Sequence, residues 1–149
     1  MVNRSMFGSL YFAIFGLSVL AFGLIELVVM VSTGPEGVTW GVLEISGMWL
    51  WWRGIILVSA GLIYLSALSN FLDIRQLAKS VTASVMIWLV GGMEIWARIT
   101  SSIPGGEGTW FNSPADFVAT YAPPYMPEIY LLPFSLLVIY FVRQRQKAK

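Results

Sequence analysis

The chain has 149 residues, 57% hydrophobic and 11% charged, with a formal net charge of +1. Soluble domains average about 25% charged residues, so the composition points to a membrane protein, read here as a single membrane domain over 1–149. The near-neutral charge and the absence of a basic aromatic surface exclude nucleic acid as an expected partner. There is no His and no Cys. That removes thiolate zinc, histidine-ligated copper and haem, iron–sulfur clusters, disulfides and His-based triads from this chain. No metal site and no cofactor within the chain are expected. A bound lipid or quinone is the remaining option for an organic group.

In chain order, four apolar segments are predicted, at about 6–32, 47–68, 80–100 and 126–142. Each is near the roughly 20 residues that cross a bilayer as a helix. The first is too long for a signal-peptide core, and no small-residue cleavage site follows it, so it is expected to persist as a helix. The fourth carries Pro133. Its start, Pro127-Glu128, suits a first turn, where a missing N–H is harmless and negative charge is favoured.

Basic residues orient the spans. Arg4 precedes the first, Arg75 and Lys79 lie in the 69–79 connection, and Arg143, Arg145, Lys147 and Lys149 follow the fourth. The connections 33–46 and 101–127 contain no Lys or Arg and carry Glu36, Glu44, Glu107 and Asp116. By the positive-inside rule both termini and the 69–79 loop are cytoplasmic. The expected fold is an all-α, polytopic, antiparallel bundle of four transmembrane helices in the cytoplasmic membrane.

The outer loop at 101–125 opens on Pro104-Gly105-Gly106-Glu107-Gly108. It then shows a helix start at Ser113-Pro114-Ala115-Asp116, with Ser as N-cap and Pro at the first position. A short interfacial helix is predicted there, ended by Pro123-Pro124. Loops of this length are uncommon unless they have a role of their own.

Small residues recur every seven positions: Ser9, Gly16 and Gly23 in the first span, Gly47, Gly54 and Gly61 in the second. Heptad spacing places each set on one face, where small residues let helices approach closely. A tight antiparallel first pair is expected. Most tryptophans fall toward the outer side, as an interfacial belt would. Trp51, Trp52 and Trp96 could alternatively line a headgroup or ligand pocket.

Four charges lie inside the apolar segments: Glu26, Arg53, Glu94 and Arg98. A charge in hydrocarbon is costly unless paired or hydrated. Glu26, Arg53 and Glu94 each sit six residues from an outer span end, roughly 9 Å deep at 1.5 Å per residue. Arg98 is one turn above Glu94, a spacing that suits an ion pair. The four sum to zero. The expectation is an ion-pair layer in which Arg53 bridges Glu26 and Glu94. A polar ligand pocket and a proton path are the competing uses.

The glycine-bearing first helix ending in an acid (Gly16-Leu17 through Gly23-Leu24-Ile25-Glu26) is followed by a Gly/Leu-rich second helix (Gly54-Ile55-Ile56-Leu57 through Gly61-Leu62) and a short basic turn at Arg75. Over the first three spans this layout resembles the DoxX-like family of small four-helix membrane proteins. The resemblance implies a quinone-linked membrane subunit, and the long outer loop departs from that compact pattern. An acid in the first of four helices is also similar to the small multidrug-resistance transporters. That likeness implies a proton-coupled transporter using Glu26, although this chain is longer. The primary expectation is a non-catalytic subunit of a larger membrane complex, respiratory or otherwise oxidoreductive. Its expected partners are lipid and other integral-membrane subunits.

Overall fold

The computed structural model describes residues 2–68, 73–101 and 121–147. It is mostly helical, with one small hairpin. The predicted interfacial helix beginning at Ser113 lies outside the described residues.

Helix α1, Val2–Thr33, takes in the whole first predicted span. Gly34 ends it with φ +67°, a left-handed conformation that suits glycine, and Pro35 cannot continue the helix. The hydroxyls of Ser32 and Thr33 both donate to the Val29 carbonyl, at 3.1 and 2.9 Å, and so occupy an acceptor near the helix end.

A hairpin follows that periodicity did not announce. Strands β1, Val38–Trp40, and β2, Leu43–Ile45, pair antiparallel as Val38–Ile45, Thr39–Glu44 and Trp40–Leu43. The two-residue turn places Gly41 at its first central position with φ +57°, as primed hairpin turns require. Gly37 (φ +67°) leaves no alternative residue, since a Cβ there would stand 1.9 Å from the Ile45 carbonyl oxygen. Ile45 is buried with Val29 and Leu50, which anchors the hairpin to the helices beneath. Tyr125 bridges to Leu43 as a one-residue third strand: Glu44 N–H donates to Tyr125 O, and Tyr125 N–H to Val42 O.

Helix α2, Leu50–Ser66, runs antiparallel to α1. Ser9 Oγ donates to Leu68 O at 3.0 Å at one end. At the other, Gly23 lies against Val58 and Gly54 against Leu27 and the Gly23 carbonyl; Gly16 and Gly61 meet Tyr64 and Leu20 between them. The expected face of Gly47 is corrected. Gly47 precedes α2, with φ +108° in a turn where its N–H donates to Pro35 O at 2.8 Å. The sequence cannot separate the two cases, because a turn glycine and a packing glycine share the heptad spacing.

Helix α3, Ile74–Ser101, joins α2 through a buried 2.6 Å bond between the hydroxyls of Tyr64 and Ser84. The fourth predicted span is two helices: α4, Pro127–Ser135, and α5, Leu137–Lys147, interrupted at Leu136. Pro133 lies inside α4 and removes a helix hydrogen bond just before that break. Gly91 lets α4 close on α3, and Trp88 Nε1 donates to Ser135 Oγ at 2.7 Å. In the core, Phe12 stacks on Tyr64, with ring centres 5.4 Å apart. It meets Phe141 of α5 edge-on at 5.9 Å.

Among the described residues, two helices, α1 and α3, are long and apolar enough to cross a membrane. Helix α2, with 17 residues, rises roughly 26 Å. The outward face of α1 is as apolar as its inward one. Phe7, Leu10, Ile14, Leu17, Ala21, Leu24, Val28 and Val31 form an exposed stripe at helical spacing over its length.

Candidate functional site

The candidate site is a buried ion cluster at the hairpin end of the bundle. Arg53 enters from the first turn of α2. Its Nη1 donates to Glu94 Oε1 of α3 at 2.8 Å, and its Nη2 to the Ser46 carbonyl at 2.8 Å. Its Nε stands 3.1 Å from Glu128 Oε1 of α4 as an ion pair, without directing its N–H at that oxygen. One guanidinium thus ties α2, α3, α4 and the loop before α2. A planar fork with several donors is suited to such a junction, where a lysine ammonium would act as a point charge.

The bridge expected between Arg53 and Glu26 is corrected. The second carboxylate on Arg53 belongs to Glu128. Glu26, on α1, lies instead beside Glu128, within hydrogen-bonding reach of its carboxyl group. Glu128 read as an ordinary first-turn acid in the sequence, since acids favour helix N-termini at any depth. The structure places it fully buried because Gly91 admits the first turn of α4 into the bundle, close against the Glu128 backbone. The usable signal was its position at the start of an apolar segment opposite three other charges.

Arg98 is corrected in the same way. It stands 3.8 Å from Glu44 Oε2 of the hairpin, donates to the Pro124 carbonyl, and lies over the Tyr125 ring at 4.9 Å. Arg98 therefore holds the hairpin and the residues before α4 to the end of α3, while Glu94 serves Arg53. The sequence hid this because Glu44 sits in a connection that reads as outer loop, and the hairpin is what brings it back over α3.

The balance of charge changes too. Glu26, Glu44, Glu94 and Glu128 face Arg53 and Arg98, so among the described residues the expected neutral layer has two more acids than bases. Burial grades across it. Glu26 and Glu128 are 0% exposed and Arg53 is 5% exposed, whereas the Glu94 and Glu44 side chains are 20% and 31% exposed. The surplus of acidic groups thus includes the most deeply buried positions.

No family model, curated protein or solved structure matches the chain. Its site is therefore read from its own chemistry. Among the described residues, no group of three or more acidic side chains is disposed to hold a metal ion.

The three indoles considered for a ligand pocket face outward. Trp51, Trp52 and Trp96 are 43%, 51% and 67% exposed. Trp51 and Trp52 meet edge to face at 5.3 Å. Their exposure suits an interface more than a cavity wall. Deeper in the bundle, an apolar groove of about 390 Å³ separates α1 from α4, lined by Tyr11, Phe15 and Phe22 on one side and Tyr130 and Phe134 on the other.

Proposed function

We propose that this chain is a four-span integral-membrane subunit whose role is structural, fastening and presenting helices within a larger membrane complex. The observation that carries the reading is the use made of the buried charges. Arg53 is sealed among Glu94, Glu128 and the Ser46 carbonyl, and each partner comes from a different element. Such charges fix one helix arrangement, and among the described residues Arg53 is closed off at 5% exposure. The outward apolar stripe of α1 and the exposed indoles supply the complementary half, since a large apolar surface calls for lipid or a protein partner.

In this reading α2 and the α4–α5 pair are the second and fourth spans, with the hairpin on the outer side. The basic residues Arg75 and Lys79, and Arg143, Arg145 and Lys147 at the end of α5, support that orientation. A reporter inserted in the Gly41–Val42 turn is expected to be external, and one fused after Lys149 cytoplasmic. The opposite result at Lys149 would remove a span.

The complex itself is tested by native mass spectrometry after mild detergent extraction from its own membrane. A fixed-stoichiometry assembly with other membrane proteins is expected. A clean monomer under conditions that preserve bound lipid would overturn the proposal.

A further inference from the structure

Glu26 is fully buried, and among the described residues no N–H or O–H donor is directed at either of its oxygens. The groups that face it can be taken element by element. From α2 comes Arg53, already shared between Glu94 and Glu128. From α3 comes Glu94, a further acid. From α4 comes Glu128, also fully buried and in hydrogen-bonding reach. Arg98 and Glu44 neutralise one another at the hairpin. Three carboxyl groups therefore converge on one guanidinium, and Glu26 is the one it does not reach. A buried carboxylate with neither cation nor donor is strongly unfavourable. Ionised carboxylates only accept hydrogen bonds, whereas a protonated one also donates.

We propose that the cluster binds one exchangeable proton, held on Glu26 and donated to the Glu128 carboxylate, and that this O–H···O bond is a pH-sensitive polar latch between α1 and α4, additional to the fixed bond that the Tyr11 hydroxyl donates to the Phe134 carbonyl at 2.9 Å. The place matters because α1 meets α4 sparsely. One turn from Glu26, at Phe22, and two residues past Glu128, at Tyr130, the two helices are parted by the groove, which the Tyr11 hydroxyl closes at its other end by donating to the Phe134 carbonyl. Loss of the proton sets two adjacent carboxylates against each other. The repulsion acts directly across that gap and widens it. The latch concerns the chain's own fold, so it stands or falls independently of whether the chain assembles with partners.

The test uses the purified full-length chain in detergent. Infrared spectroscopy at neutral pH is expected to find the C=O stretch of a protonated carboxyl, shifted in deuterium oxide, and to lose it in Glu26→Gln. Glutamine keeps the shape and can donate its amide N–H to Glu128, so the variant is expected to fold. A native protein without the band, or a Glu26→Gln variant that retains it, overturns the site.

The chain has no cysteine, so Ser18→Cys and Phe134→Cys place a clean spin-label pair across the groove. Their separation is expected to lengthen as rising pH abolishes the band, and to stay constant with pH when Glu26→Gln is added. A separation indifferent to loss of the band overturns the latch.

Discussion

Replacing Arg53 with alanine is expected to destabilise the folded chain by about 3–5 kcal/mol, the range for breaking a buried ion pair from one side. The size follows from what is left behind. Glu94 loses a 2.8 Å charged hydrogen bond and Glu128 its only ion pair among the described residues, while the Ser46 carbonyl loses the Nη2 donor. The remaining acids would then adjoin with no cation among them. Lysine should recover part of the loss, since it restores charge without the fork that reaches three elements at once. Neutralising the acids along with the arginine, as Arg53→Met with Glu94→Gln and Glu128→Gln, should recover more of it. In that triple variant neither carboxylate paired with Arg53 is left without its cation, and an apolar side chain fills the volume. Thermal or denaturant unfolding in detergent, followed by helical circular dichroism, checks the series. An Arg53→Ala variant within about 1 kcal/mol of the native chain, the scale of an exposed pair, would remove the fastening role.

The cluster also illustrates how much of this site the residues announced. Glu26, Arg53, Glu94 and Arg98 stood out because charge in an apolar segment is costly wherever it falls. Depth along each helix placed three of them at one level. Depth alone does not supply azimuth. Glu26 and Glu94 lie at similar levels, but only Glu94 turns toward Nη1 of Arg53. Glu128 was harder to find because a first-turn acid is ordinarily a surface feature, and its burial depends on Gly91 of another helix. Glu44 was hidden by the hairpin, whose strands are three residues each. The turn glycines at 37 and 41 are the sign of it in the sequence.

The glycine face fared differently. Heptad spacing is a property of one helix at a time, and a small residue imposes its own packing preference. Gly16, Gly23, Gly54 and Gly61 therefore point to the α1–α2 seam without knowledge of anything else, and the helices meet there. The exception, Gly47, has the right spacing and the wrong backbone, with φ +108° ahead of the helix.

That seam yields the second large effect. A Cβ at Gly23 would lie 2.6 Å from the Val58 backbone nitrogen, and one at Gly61 would lie 2.7 Å from the Leu20 nitrogen. Backbone cannot rotate away as a side chain can, so even alanine forces α1 and α2 apart. Overpacking of this kind costs about 1–3 kcal/mol per site. Gly23→Leu or Gly61→Leu is expected to exceed that range and to release the hairpin, because Ile45 rests on Val29 and Leu50 at the top of the same pair. Gly92 provides the contrast. Among the described residues, nothing outside its own stretch of helix lies within 4 Å of a Cβ built there. Alanine at Gly92 should therefore stabilise α3 by up to about 1 kcal/mol through helix propensity alone. The same exchange, glycine to alanine, is thus expected to change sign between the seam and the open face of α3. Unfolding measurements on Gly23→Ala, Gly61→Ala and Gly92→Ala in one detergent decide it. Equal effects at all three would mean that close approach of α1 and α2 is not what holds the first pair together.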